Sequence, residues 1–350
     1  MNEFDFIKRI RGLARERGAS SGLVRGIGDD AAVLKSLPGS DVVVSTDLLV
    51  EDVDFSRDTT QPGLLGHKAL AVSLSDLAAM GARPRWALLS LGVPKDVWDS
   101  GFVDDFYVGF FELADRYGVQ LIGGDLSRTT DKIVIDSIAI GECGNGREVF
   151  RAGAKLGDQI FVTGFLGDAA AGLRLIERGA RLHTPTTKEP IAAVEGETER
   201  HPTDHLLLRQ LRPEPRVGWG LLLGEQQLAT AMIDLSDGLS SDLNHLCEES
   251  EVGALIDAAG IPIDPLVKDL SGRRALDPLM LALHGGEDFE LLFTVSPENV
   301  AKLPKRVDGV SLTCIGEIKD AAAGVQISEG SRTWKLEPGG WEHFHGRTGE

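Results

Sequence analysis

The alternation of apolar and polar positions divides the chain into short elements. Phe4, Ile7, Ile10 and Leu13 recur at helical spacing with lysine and arginine between them, which predicts an amphipathic first helix. A glycine turn, Gly26-Ile27-Gly28-Asp29-Asp30-Ala31-Ala32, leads into a short strand over 32–34. Pro38-Gly39 then turns the chain into an apolar run, Val42-Val43-Val44, that ends in Ser45-Thr46-Asp47. Residues 64–80 predict a helix with Asp76 near its end and Gly81 as its stop signal. A strand over 87–93 ends at Pro94, and a helix follows over 103–117. A short buried strand over 119–122 runs into Gly123-Gly124-Asp125, and 132–140 alternates as a further strand.

Near Gly153 the pattern restarts. It predicts a strand over 159–163, a glycine turn over 164–168, a helix over 169–178, and helical segments over 206–211 and 217–223. A strand over 230–233 leads to Asp234, and helices follow over 239–249 and 274–283. The loop Gly285-Gly286-Glu287-Asp288 opens a strand over 289–295. Residues 181–204, rich in Pro, Thr and Glu, predict an exposed loop. Strands alternating with helices in both halves give an α/β chain of two domains, 1–150 and 151–350.

Composition narrows the partners. The 350 residues carry a formal charge of −18, which disfavours nucleic acids and anionic membranes, since both select a basic surface. An acidic protein still binds ATP where metal ions neutralise the site. Cys143, Cys247 and Cys314 are far apart and form no CxxC pair, which fits a reducing cytosol rather than a disulfide framework or a zinc ribbon. The charged N-terminus has no signal-peptide core, and no apolar run reaches the length of a membrane span; a soluble, cytoplasmic protein is expected.

The candidate chemistry lies in carboxylates at the ends of apolar segments: Asp29-Asp30, Asp47, Asp76, Asp125, Asp234 and Asp237. Carboxylates that share a site repel unless a cation intervenes, and hard oxygen ligands without His or Cys suit magnesium. Taken singly, each has a plainer reading: a solvated turn at Asp29-Asp30, a turn cap at Asp125, a helix N-cap at Asp234-Leu235-Ser236-Asp237-Gly238. Their repetition at segment ends favours a magnesium–polyphosphate site. Gly26-x-Gly28-x-x-Ala31 formally matches a dinucleotide fingerprint, but Pro38-Gly39 leaves no room for the crossover helix. No Walker A or protein-kinase motif is present.

In this order the motifs Gly26–Ala32, Ser45-Thr46-Asp47-Leu48-Leu49-Val50, 68–82, Gly123-Gly124-Asp125, 234–239 and 285–291 resemble the thiamine-monophosphate kinase family. That family belongs to the superfamily of aminoimidazole ribonucleotide synthetase. The resemblance implies ATP-dependent phosphorylation of thiamine monophosphate to thiamine diphosphate. It also implies a homodimer whose N-terminal mixed sheets pair, with a C-terminal α/β sandwich, and thus an α+β type of architecture. Its implied magnesium ligands are Asp30, Ser45, Thr46, Asp47, Asp76, Asp125, Asp234 and Asp237; its ATP contacts are Gly124, Asp125, Arg151 and Ser236. Glu287 and Trp341 are implied at the thiamine moiety, with Asp54 at a substrate position where relatives often carry His before Phe55. The acceptor is itself a phosphate, so no general base is expected. A sibling selenophosphate synthetase wants an N-terminal cysteine and the hydrogenase-maturation member a C-terminal one, and neither occurs here. A synthetase of the aminoimidazole type and a non-catalytic nucleotide-binding subunit are the remaining alternatives.

Overall fold

The computed structural model describes residues 3–17, 22–27, 32–35, 38–183, 201–274 and 276–342. The chain divides between Glu148 and Val149 into two compact units. Among the described residues no helix is long and apolar enough to cross a membrane.

The N-terminal unit contains α1 (Glu3–Glu16), β1 (Leu23–Arg25), β2 (Val33–Leu34), β3 (Ser40–Val50), α2 (Pro62–Ala79) and β4 (Arg83–Val93). It continues with α3 (Lys95–Asp99), α4 (Phe102–Tyr117), β5 (Gln120–Arg128) and β6 (Val134–Gly144). β1 and β2 pair as a small antiparallel ribbon. The main sheet runs β3-β6-β4-β5, antiparallel except for the parallel β4–β5 pair, and is therefore mixed. β3 is longer than its apolar core suggests, so Ser45, Thr46 and Asp47 lie mid-strand rather than at a strand end. Likewise Gly123-Gly124-Asp125 lies inside β5 and does not form a turn after it. Both departures have one cause: polar side chains alternating across a sheet read in sequence as the end of an apolar run.

α2 starts with Pro at its first turn, ends at Met80 and is followed by Gly81 at φ +68°, the left-handed stop that glycine permits. It is buried along nearly all its length, between the sheet and α4. Two glycines allow that approach. A Cβ at Gly66 would lie 1.9 Å from Phe106 O, and one at Gly109 would lie 1.7 Å from Gly63 O. On the opposite face Trp86, Ile122 and Ile140 form a small core under Leu23, Ala32 and Leu34 of the β1–β2 ribbon.

The C-terminal unit contains β7 (Gln159–Thr163), α5 (Asp168–Glu177), α6 (Asp204–Leu211), α7 (Val217–Glu225), β8 (Ala231–Asp234), α8 (Leu239–Glu249) and β9 (Gly253–Asp257). It ends with α9 (Pro265–Arg274), α10 (Pro278–His284), β10 (Leu291–Val295), β11 (Arg306–Val307), β12 (Val310–Lys319), β13 (Val325–Glu329) and β14 (Arg332–Lys335). Its sheet runs β14-β13-β9-β12-β7-β10-β8, with β11 beside β12 and, among the described residues, a parallel pair only at β9–β13. The helix predicted over 274–283 starts only at Pro278, as α10. Pro278 lacks an N–H and fits only a first turn, and Asp277 caps α10 by accepting from Leu279 N and Met280 N. The sequence pattern names no element in 250–273 or 296–342, where the structure has β9, α9 and β11–β14. The predicted loop over 181–204 lies outside the described residues from 184 to 200. At its far end Thr203 and Asp204 are buried, and Asp204 opens α6 rather than closing a loop.

The α2–α4 contact has no slack, because the atoms in the way are backbone. Gly109→Ala is expected to destabilise the chain by about 3 kcal/mol, the upper end of overpacking costs. Gly12→Ala, in α1 with nothing within 4 Å of the added carbon, should be neutral or stabilising by up to about 1 kcal/mol. Equilibrium unfolding in denaturant measures both; equal effects would refute the close-packing account.

Candidate active site in two groups of carboxylates

The first group is in the N-terminal unit. Residues directly opposite one another in a ladder share a face. Asp47 faces Ser137, and both lie on the side covered by α2. There the Ser45 hydroxyl donates to the Asp76 carboxylate of α2, and Ser73 Oγ donates to Ser137 O at 3.0 Å. Asp47 Oδ2 is buried and has no hydrogen-bond partner among the described residues. Burial, then the neighbouring Asp76 charge, pushes the Asp47 carboxyl up to about 6, against a lowering contribution from Ser73. A buried carboxylate oxygen with no proton donor, beside a second carboxylate, has the chemistry of a hard-cation ligand.

The other residues of this unit are arranged differently. Thr46 points to the opposite face, where its hydroxyl donates to Asp136 Oδ1 at 2.8 Å. The row Leu48–Asp136–Ser90–Asp125 crosses the sheet on that face, so Asp125 shares it with Asp136 and not with Asp47. Gly124 has a packing reason of its own: at φ +148° a Cβ would lie 1.9 Å from Leu89 O. Asp54 Oδ2 accepts from Val50 N at 2.7 Å and closes the turn after β3. Asp29 and Asp30, with Gly28 and Ala31, lie outside the described residues.

The second group is in the C-terminal unit. Asp234 is buried at the end of β8. The chain then folds tightly against the loop before β10: Glu287 N donates to Ser236 O at 2.7 Å, and Phe289 N to Leu235 O at 2.9 Å. Glu287 and Phe289 both adopt positive φ, 67° and 49°, which for residues with side chains is strained backbone. Gly286 permits the approach, since a Cβ there would lie 2.7 Å from Ser236 O. The Glu287 carboxylate accepts from Gln210. Trp341 is 46% exposed, which excludes a core role, and its backbone N–H donates to Asp237 O at 3.1 Å. Asp234, Ser236, Asp237, Glu287 and Trp341 thus converge on one corner of this unit. Arg151, at the start of the unit, is exposed and offers its carbonyl to Ser250 Oγ at 2.8 Å.

Two acidic residues here were not singled out by the sequence. Asp242, in the first turn of α8, is 2% exposed and accepts from Asp237 N at 3.2 Å and Gly238 N at 3.0 Å. Burial, then Asp234 and Asp237, pushes its carboxyl up to about 8. Its signal was the spacing from Asp237 to Asp242 across a helix start. Glu290 is fully buried, held by Arg209 at 2.7 Å, by Arg216 and by Thr163 Oγ1 at 2.6 Å. Burial alone would raise Glu290, but the two arginines with the Arg216 and Thr163 hydrogen bonds outweigh it and hold the carboxyl below its usual value. Gly164, at φ +60°, makes room: a Cβ would lie 2.2 Å from Glu290 Oε1. Nothing local in the sequence marks this clamp, whose partners are 74 to 127 positions away.

Residues 28–143 match the N-terminal domain, and residues 155–327 the C-terminal domain, of AIR synthase related proteins. The thiamine-monophosphate kinase of Escherichia coli is 39% identical over 345 residues, 98% of each chain. The crystal structure of thiamine-monophosphate kinase from Stenotrophomonas maltophilia superposes with a TM-score of 0.78 at 40% identity, covering 94% of this chain and 97% of that one. The chain belongs to the thiamine-monophosphate kinase family. A further family structure, AaThiL complexed with AMPPCP and TMP, superposes with a TM-score of 0.74 at 32% identity over 98% of this chain and 97% of that one.

For this member of the thiamine-monophosphate kinase family the Glu290 clamp sets an acid limit. Because its folded pKa is depressed, its contribution is present above the ordinary carboxylate range and lost as pH falls through the folded value. Stability should therefore drop below about pH 4, where glutamates begin to protonate. Glu290→Gln should cost about 3–5 kcal/mol at pH 7 by leaving two arginines without their anion, and should flatten that acid limb. Urea unfolding at several pH values reads both effects.

Proposed function

We propose that the chain transfers the γ-phosphoryl group of ATP to the phosphate of thiamine monophosphate, giving thiamine diphosphate and ADP. The observation that carries this is the full-length match to kinases of that name, including one solved with AMPPCP and TMP. The acceptor is a phosphate monoester with a second pKa near 6, so it is already largely a dianion at pH 7 and needs no general base. That agrees with a candidate site built from carboxylates and small polar groups. The obstacle is the approach of two polyanions in line, which positioning and charge neutralisation address.

Magnesium fits the donor sets. Asp47, with its buried unpartnered oxygen, and Asp76 are suited to it in the N-terminal unit, with Asp30, Ser45, Thr46 and Asp125 assigned by motif. In the C-terminal unit the assignment falls on Asp234 and Asp237. Bound magnesium neutralises phosphate charge and draws electron density from the transferred group. We assign ATP contacts to Gly124, Asp125, Arg151 and Ser236, and the thiamine moiety to Asp54, Glu287 and Trp341. Arg151 is exposed and offers a planar, bidentate phosphate donor. The indole of Trp341 offers a π-face to the cationic thiazolium. The N-terminal unit takes the metal, nucleotide and dimerisation roles, and the C-terminal unit the remaining phosphate and substrate contacts. A homodimer is supported by β3, an edge strand exposing Val42, Val44 and Leu48 at 49%, 61% and 59% on the face away from α2. Free thiols at Cys143, Cys247 and Cys314 suit a reducing cytoplasm.

A coupled ADP-release assay should show turnover with ATP, Mg2+ and thiamine monophosphate, and none with thiamine; the reverse preference would refute the reading. Trp341→Ala should raise KM for thiamine monophosphate roughly 2- to 30-fold, from the usual cation–π range, with KM for ATP unmoved. An unchanged KM in a folded variant would remove Trp341 from the substrate site. Asp47→Asn should nearly abolish turnover yet stabilise the metal-free protein. Its folded pKa is raised to about 6, so the native state is most stable below the unfolded value and loses that contribution as pH rises through about 6. The gain in melting temperature should hence be larger at pH 8 than at pH 5.

A further inference from the structure

We propose that Asp168, His205 and Asp264 form a divalent-cation site of the zinc type in the C-terminal unit, distinct from the carboxylates assigned to magnesium. One donor atom of each residue lies within 4.8 Å of the other two. The three come from separate elements: Asp168 begins α5, His205 is in the first turn of α6, and Asp264 precedes α9.

Three observations point to a cation there. First, His205 Nδ1 is 3.0 Å from Pro202 O. A carbonyl only accepts, so Nδ1 carries a proton and the ring turns Nε2 toward the other side. Nε2 faces Asp264 Oδ2 at 3.3 Å, a contact that takes a positive charge, either a proton on the ring or a metal ion between the two. An imidazole fixed by an Nδ1–H to carbonyl bond with Nε2 free is the usual setting of a metal-bound histidine. The separation itself suits an ion: ligands at about 2.0–2.2 Å around a tetrahedral zinc lie roughly 3.3–3.5 Å apart.

Second, Asp168 is 3% exposed and its Oδ1 is buried with no hydrogen-bond partner among the described residues. A buried carboxylate oxygen left unpaired is costly, and a cation removes the cost. Third, Asp264 is half committed. Its Oδ1 accepts from Leu266 N at 2.7 Å as the cap of α9, which leaves Oδ2 for the site. Charges of both signs act on Asp168: Arg209 first, then Asp288, Asp264 and Glu290, and Arg209 is itself bound to Glu290.

The donor set selects the ion. An imidazole with two carboxylates suits Zn2+ or Co2+ better than Mg2+ or Ca2+, which prefer oxygen alone. Three protein ligands leave a fourth position for water, and the 47% exposed side chain of His205 provides the way in. Bound zinc would tie α5, α6 and the start of α9 together.

The test uses the full, tag-free chain in millimolar Mg2+, with Zn2+ alone as the probe. Equilibrium dialysis should find one zinc per chain in the wild type, bound roughly 10-fold or more weakly by His205→Gln and by Asp168→Asn. Near 100 times the dissociation constant, zinc should raise the folded-to-unfolded ratio about 100-fold, visible as a higher melting temperature that His205→Gln abolishes. His205→Gln, at a half-exposed position, keeps the test decisive should Asp168→Asn fail to fold. His183, His201 and Asp204 form a second cluster of donor atoms, so a His183→Ala/His201→Ala variant is the control and should keep its zinc. Zinc that survives His205→Gln, or is lost from the control variant instead, or is not taken up at all, overturns the proposal and leaves a proton shared between His205 and Asp264.

Discussion

The constraint on which this chain depends is the removal from water of carboxylates that also repel one another. In the N-terminal unit β3 and α2 hold Asp47 against Asp76, and Asp47 keeps one oxygen with no donor. In the C-terminal unit Asp242 is buried beside Asp234 and Asp237. In each arrangement burial, and then the neighbouring carboxylates, raise the proton affinity of one member. Where the fold needs a buried acid for itself, at Glu290, it supplies two arginines and a threonine and the pKa falls. The contrast between Glu290 and Asp47 separates a structural acid from one suited to an incoming ion.

Glycine makes these arrangements possible at the backbone level. The α2–α4 contact that seats Asp76 depends on Gly66 and Gly109, and the β4–β5 pair that carries Asp125 depends on Gly124. Gly286 does the same for the turn that brings Glu287 beside Ser236. The motifs shared with the thiamine-monophosphate kinase family therefore combine two requirements. Their acids serve charge, and their glycines let backbones approach closely enough to hold those acids in place.

Much of the architecture was legible in the sequence because apolar periodicity sets it. Residues 159–163 and 239–249 read directly as β7 and α8. What failed was local polarity within elements. Ser45-Thr46-Asp47 read as a strand end because alternating polar residues look like the close of an apolar run, yet β3 continues to Val50. The same alternation hid the fact that Thr46 and Asp125 occupy one face of the sheet and Asp47 the other. The start of α10 at Pro278 was readable from its missing N–H, while the helical spacing around it suggested an earlier start. The acids Asp168, Asp242 and Glu290 were not legible, since burial and partners far along the chain determine their state.

The claim that Asp47 is an acid awaiting a cation is tested most directly by the protons exchanged on metal binding. Titration calorimetry of Mg2+ near pH 6, repeated in two buffers of different ionisation enthalpy, counts those protons. The wild type should release protons on binding magnesium, and Asp47→Asn should release fewer. Magnesium binding with no proton release, or with the same release in the variant, would contradict it.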